Sequence, residues 1–337
     1  MRNRSDLLVG SLAIASGAML LSAWMRPRYA FRGKVVLITG GSRGLGLVLA
    51  RQLAHEGARI VICSRTTRQL ERAYDELRAL NAEVLAFTCD ITDRTAVASL
   101  VGQVLREWGR IDVLINNAGI IRVGPVETMD LADFEVAMNV HFWAPLYLIQ
   151  AVLPGMKARR EGRIVNVSSI GGRISVPHLV PYSASKFAQV GLSEGLRSEL
   201  AKDGIVVTTV SPGLMRTGSP RNAEFKGQHR AEYAWFTLGD SLPLASMSAN
   251  RAAAQIIEAC RAGRSALTLS LPAQMADMIH GIFPGLTADF LGFINRLLPA
   301  AGGIGHAVAR GEDSESWIAP SPLTALNEWA AVQNNEL

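Results

Sequence analysis

The sequence predicts a doubly wound α/β domain on a parallel sheet. Short Val/Ile/Leu-rich runs alternate with helix-length stretches from Lys34 to Ser270. Several of these runs are continuously apolar, as strands buried on both faces are. A glycine-rich turn, Thr39-Gly40-Gly41-Ser42-Arg43-Gly44-Leu45-Gly46, follows the first run and opens the first helix. Right-handed crossovers convert such alternation into a sheet with helices on both sides, the Rossmann arrangement.

Taken in order, the chain divides into residues 1–32, 33–271 and 272–337. Leu7 to Met25 carries no charge and approaches the ~20 residues that cross a bilayer as a helix. Arg2 and Arg4 precede it, with Asp6, whereas Arg26, Arg28, Arg32 and Lys34 follow it. The heavier positive flank predicts a single-pass anchor with the following domain on the cytoplasmic side. A signal peptide cleaved near Ser16-Gly17-Ala18 and a helix docked on the protein are the competing readings.

Strands are predicted at Lys34–Thr39, Arg59–Cys63, Val84–Phe87, Asp112–Ile115, Arg163–Val167, Ile205–Val210 and Ala266–Ser270. Helices are predicted at Leu45–Glu56, Arg68–Leu80, Thr95–Trp108, Phe134–Ala158 and Ser183–Lys202. Leu214–Met247 reads as a mobile lid, and Ser248 as the cap of a helix to Ala262. Met275 to Leu298 repeats apolar residues at helical spacing on both sides of Pro284-Gly285, which predicts two amphipathic helices. From Ala300 onward the chain reads as loop, with Trp317 and Trp329 available to dock it.

Composition narrows the function. The net charge of +5 over 337 residues comes from scattered Arg without a long basic block, which argues against nucleic acid. Cys63, Cys89 and Cys260 lie far apart, and neither they nor the six histidines show metal-ligand spacing. No metal is expected, and the thiols are read as buried and free.

The glycine turn has the context a phosphate cradle needs. Gly40 permits the tight turn, Gly44 lets a pyrophosphate approach the backbone, and Gly46 lets the helix pack closely. The second strand ends Ile62-Cys63-Ser64-Arg65, without the acid that grips a ribose 2′-hydroxyl. Arg43 and Arg65 suit a 2′-phosphate instead, so NADP(H) is the expected cofactor; a solvated loop charge is the bland alternative for Arg65. Asp90 either accepts from the adenine amino group or caps the chain near Thr92.

Tyr182 and Lys186 sit four apart in Pro181-Tyr182-Ser183-Ala184-Ser185-Lys186 and share a helix face. An ammonium beside a phenol lowers a pKa that is otherwise about 10, making Tyr182 a proton donor and acceptor near neutrality.

Jointly, these motifs resemble the short-chain dehydrogenase/reductase family over roughly Gly33 to Leu271. Thr39-Gly40-x-x-x-Gly44-x-Gly46 is similar to its cofactor turn, with Ser42, Arg43 and Leu45 inside it. Asn116-Asn117-Ala118-Gly119 resembles the motif beside the adenosine ribose, and Asn139 in Met138-Asn139-Val140 the active-site Asn. Ser169 falls thirteen positions before Tyr182, the family's spacing, and is preferred to Ser168. Pro212-Gly213, followed by Thr217, resembles the segment that closes over nicotinamide. The resemblance implies that Tyr182 exchanges a proton with a carbonyl or alcohol. Lys186 would bind the nicotinamide ribose, Ser169 would fix the substrate oxygen, and Asn139 would hold a water leading from Lys186 to solvent. It also implies a homodimer or homotetramer. A protein that binds NADP at the membrane without turnover is the alternative from another class.

Pocket walls are expected from Ile170–Pro181 and Leu214–Met247, with His178 exposed in a loop. An apolar lining and a membrane anchor suit a lipophilic carbonyl or alcohol as substrate and membrane lipid as a partner.

Overall fold

The computed structural model describes residues 28–243 and 245–337. The predicted anchor at Leu7–Met25 lies outside the described residues. The fold below is that of the unit Phe31–Leu337.

Seven strands form one parallel sheet: β1 (Val35–Thr39), β2 (Arg59–Ser64), β3 (Val84–Thr88), β4 (Val113–Asn116), β5 (Gly162–Val167), β6 (Ile205–Pro212) and β7 (Ala266–Leu269). Their spatial order is β7-β6-β5-β4-β1-β2-β3. The order reverses beside β1, so a crevice opens above the carboxyl ends of β1 and β4. Registers such as Val36 with Ile60 and Val36 with Val113 hold β1 between β2 and β4. Ile60, Val61 and Ile62 are fully buried, which explains why the strand reads as an unbroken apolar run.

Helices α1 (Gly44–His55), α2 (Thr67–Ala79) and α3 (Arg94–Trp108) follow β1 to β3. Asp93 caps α3 by accepting from the Thr95 and Ala96 amides. Val97, Val101 and Val104 then face Leu37, Val61 and Leu114 in the main core; each such side chain contributes about 1.5–3 kcal/mol.

The predicted helix Phe134–Ala158 is interrupted. It comprises α4 (Leu131–Met138), a π-turn at Asn139–Trp143 and α5 (Ala144–Arg159). Pro145 has no N–H for the residue-141 carbonyl, so the ordinary four-residue ladder cannot pass this point. Helix α6 (Val180–Leu200) starts earlier than predicted and so carries Tyr182 in its first turn.

The described residues of the stretch read as a lid include short regular elements. Among them is α7 (His229–Ser241), whose Tyr233 and Phe236 pack with Phe225 and Val123 in a second core. Lys226, in the stretch read as polar and loose, is buried and bonds Asp133 at 2.6 Å. Ser248 caps α8 (Ala249–Ala262), accepting from the Arg251 amide.

Helices α9 (Leu271–Ile282) and α10 (Pro284–Asn295) form as expected, yet α10 buries no residue and α9 only Ala273. The chain beyond Ala300 is not a loose loop. Ala309-Arg310 pairs with Glu224-Phe225, which pairs with Arg122-Val123, and α11 (Ala325–Gln333) packs on α7. Trp317 and Trp329 do not dock it: they are 89% and 65% exposed. Buried Asn327 does, accepting from the Gly218 amide at 3.1 Å.

Candidate active site

The crevice holds a cavity of about 440 Å³. One side is the glycine turn. Thr39 Oγ1 accepts from the Asn117 and Ala118 amides, each at 3.0 Å, and Asn117 Nδ2 donates to the Thr39 carbonyl at 3.0 Å. These bonds clamp the turn after β4 against the turn after β1. Gly40 has φ of +63° and lies against Ala118, a close approach that excludes a side chain. A side chain on Gly46 would strike the Gly40 carbonyl.

Gly40, Gly44, Leu45, Asn117 and Gly119 line the cavity together with Arg43 and Arg65. Tyr182, Lys186 and Thr217 line it elsewhere. Thr217 is buried, its hydroxyl accepting from the Ser219 amide. Ser42 is buried in the turn. Pro212 ends β6, and Gly213 follows it against Ser270. Asp90 turns to its own loop, accepting from the Thr92 amide and hydroxyl at 2.9 and 2.7 Å. The local cap is therefore what forms.

Around Tyr182 the arrangement differs from expectation in two respects. Lys186 does not depress the phenol. Its ammonium is 5.8 Å from the Tyr182 ring centre and donates to the Val167 carbonyl at 3.0 Å and Gln189 Oε1 at 3.2 Å. Burial pushes the phenol up to about 12; the nearby Ser169 hydroxyl opposes the rise and the Asp240 carboxyl adds to it. Burial also brings Lys186 down to about 7. Ser169 stands beside the Tyr182 ring at Gly171, and its hydroxyl accepts from the Gly171 amide at 3.0 Å. Ser168 instead donates to the Lys186 carbonyl at 3.1 Å, fixing α6 to β5.

The second difference is at the π-turn. Asn139 is exposed, and its carbonyl accepts from the Ala144 amide. The side chain that enters the site is His141, fully buried. Its Nε2 accepts from the Ile120 amide at 3.2 Å, so Nδ1 carries the proton towards Ser185 Oγ at 2.8 Å. Ser185 in turn donates to the Tyr182 carbonyl at 2.7 Å. The His141 and Tyr182 rings meet edge to face at 5.3 Å. Burial, then the nearby Lys186 charge, holds His141 well below the usual imidazole range. An i, i+4 helix pattern cannot show which residue a π-turn points inward; the Pro145 that forces the turn was the available signal.

Two acids escaped the sequence reading. Asp240 on α7 is buried, and burial pushes its carboxyl up to about 8 against a bond from the Met215 amide. Glu336 is also buried; burial raises it to about 7, opposed by Arg43 and Asn222. His178 corrects a third expectation. It is buried rather than exposed, with Nδ1 2.8 Å from Glu232 Oε1.

A doubly wound sheet with a glycine cradle and a Tyr/Lys/Ser cluster over one crevice defines a nucleotide-dependent α/β protein. The short chain dehydrogenase family model matches residues 34–226, and the chain belongs to that family. It is 41% identical over 197 residues to a dehydrogenase/reductase SDR family protein 7-like from Anopheles gambiae, covering 57% of this chain and 62% of that one. It is 39% identical over 224 residues to dehydrogenase/reductase SDR family member 7B from Bos taurus, covering 64% and 68%. The chain thus spans under two thirds of the mosquito relative's length. A short-chain dehydrogenase from Streptomyces avermitilis superposes with TM-score 0.66 at 31% identity, covering 79% of this chain and 97% of that one. Actinorhodin polyketide ketoreductase with NADPH superposes with TM-score 0.64 at 30% identity, covering 71% and 96%.

Proposed function

We propose that this chain is an NADP(H)-dependent oxidoreductase that interconverts a lipophilic carbonyl compound and its secondary alcohol. The observation that carries this reading is the Tyr182 phenol, with Ser169 beside it, in the cavity that also holds Lys186 and the glycine turn.

The residues fit the cofactor. Gly40 and Gly44, at φ of +63° and +55°, present backbone without a side chain. Arg43 and Arg65 supply planar cations to the cavity lining, and the absence of an acid after β2 favours a 2′-phosphate. Three solved neighbours contain NADPH or NADP. Asn117 and Gly119 would flank the adenosine ribose, and Lys186 and Thr217 the nicotinamide end. When bound, the nicotinamide supplies or accepts the hydride. Tyr182 gives the proton to the carbonyl oxygen, or takes it from the alcohol, and Ser169 orients that oxygen. A phenol held at high pKa stays protonated but is a weaker acid, so it gives up the proton only as negative charge develops on the carbonyl oxygen. Lys186, near neutrality, sits behind the phenol as its proton reservoir. Asn139 has no place in this relay.

The lipophilic substrate and a membrane location belong to the same reading. They rest on the uncharged stretch Leu7–Met25 and on the apolar residues of α9–α10, among them Met278, Ile282, Leu286 and Phe290, each at least 60% exposed. Pairing of two copies through α6, where Phe187 is exposed, also belongs to it.

The test is NADPH oxidation across a panel of hydrophobic ketones. Tyr182→Phe is expected to lower turnover by about 10²–10⁴-fold while leaving NADPH binding intact. Unchanged turnover in that variant refutes the proton-transfer role. Binding of NADPH with no turnover of any ketone or alcohol favours a sensor instead.

A further inference from the structure

Helix α1 begins without the usual anion at its N-terminus. Its first turn has no acidic residue, and the cap position, Arg43, makes no side-chain cap bond. A helix start of this kind attracts negative charge. The structure fills the place from the far end of the fold.

Residues 334–337 run back to the glycine turn and are held there by specific bonds. The Asn334 carbonyl accepts the Gly44 N–H at 2.8 Å. Asn334 Nδ2 donates to the Thr217 carbonyl at 3.3 Å. Asn335 Nδ2 donates to the carbonyls of Ser42 and Gln69 at 2.8 and 2.9 Å. The Glu336 carboxylate lies 3.2 Å from Arg43 Nη1 and 2.8 Å from Asn222 Nδ2. Its other oxygen stands 2.6 Å from where a side chain on Gly44 would begin.

The bare face of Gly44 and the Arg43 guanidinium are the groups assigned above to the cofactor's phosphates. We propose that Glu336 is a determinant of cofactor affinity: its carboxylate holds the phosphate seat, and cofactor binding displaces residues 334–337. The inference rests on the NADP(H) reading.

The chemistry is a competition of anions. One guanidinium and one helix start cannot serve a buried carboxylate and a phosphate at full strength. Bringing the two anions together without displacement would set like charges side by side in a desolvated site. The segment can leave as a unit, because its anchors are side-chain amides, backbone carbonyls and the guanidinium groups of Arg43, Arg51 and Arg72, all of which water or phosphate can satisfy in its place. Until it leaves, the competent form of the cleft is a fraction of the total, and the apparent affinity for the cofactor falls by that fraction.

The experiment compares NADP⁺ binding by calorimetry in the full chain, in Glu336→Gln, and in a chain ended after Gln333. Glu336→Gln keeps the shape and removes the charge. Its Kd for NADP⁺ is expected to fall about tenfold, and that of the shortened chain at least as far. Amide exchange in 334–337 of the full chain is expected to rise when NADP⁺ is added. Unchanged or weaker binding in Glu336→Gln overturns the proposal, and weaker binding in both variants makes the segment a clamp on the cofactor. If no folded form binds NADP⁺ or NADPH at millimolar concentration, the cofactor reading fails, and the displacement with it. Tight binding by the full chain with no gain in either variant refutes the displacement alone.

Discussion

His141 joins three parts of the site through one imidazole. Its ring accepts from the Ile120 amide, donates towards Ser185 and abuts the Tyr182 ring. Substituting Ala would leave the half-buried Ile120 N–H without its imidazole partner and open a cavity beside the Tyr182 ring. His141→Ala is therefore expected to cost about 2–4 kcal/mol, measured by urea denaturation. His141→Gln, which can still accept from Ile120, should recover part of that stability. Asp240 makes a prediction about pH. Its folded pKa of about 8 exceeds the ordinary 3.8, so across that window the folded chain keeps a proton that the unfolded chain releases. Stability from this group is complete below the unfolded pKa and is lost as pH rises through the folded one. Glu336, raised to about 7 from 4.5, acts in the same direction. Lys186, lowered to about 7 from 10.5, adds stability as pH rises above 7. Asp240→Asn should make the decline between pH 4 and 8 shallower, by up to about 1.4 kcal/mol per pH unit. An identical slope in unfolding measurements on both forms would remove Asp240 from the buried acids.

At the scale of elements, the α9–α10 hairpin is the outlier. Phe283, Leu286, Phe290 and Phe293 are each at least half exposed, and a helix that is apolar on its exposed faces requires a covering medium. Shallow insertion into the interfacial region of a bilayer would cover it. The chain of residues 28–337 is expected to float with phosphatidylcholine vesicles, and Leu286→Lys with Phe290→Lys to release it. Retention of the doubly substituted chain on vesicles would locate the contact elsewhere. The π-turn is the opposite case, an interruption with a purpose. It rotates the helix so that Val140 and His141 face inward while Asn139 and Trp143 face out.

Over the whole molecule, distant segments close around the crevice. Arg122 and Lys226 converge on Asp133, and Arg122 also meets Glu224. Asp133 and Lys226 are buried, so removing one partner strands the other. Lys226→Met is expected to cost about 2–4 kcal/mol, less than a fully isolated charge because Arg122 remains. Chemical denaturation would reveal it as a lower midpoint with unchanged slope. Helix α11 and the residues after it complete the closure by tying Thr217, Ser42 and Gly44 to one segment.

The local sequence by itself determined the sheet, its helices and the glycine turn, because period, strand composition and turn chemistry act between near neighbours. It also placed Tyr182 and Lys186 on one helix face by their four-residue spacing, whereas Ser169 was reached only through the family resemblance. Only tertiary structure decided that His141 rather than Asn139 enters the site, since inward direction at a π-turn depends on a broken ladder and on what packs against it. Only tertiary structure set Tyr182 high and Lys186 low, because desolvation is a property of the surroundings and not of the pair. The arrival of Glu336 at Gly44 left no local pattern at all: residues almost three hundred positions apart meet through the folding of everything between them.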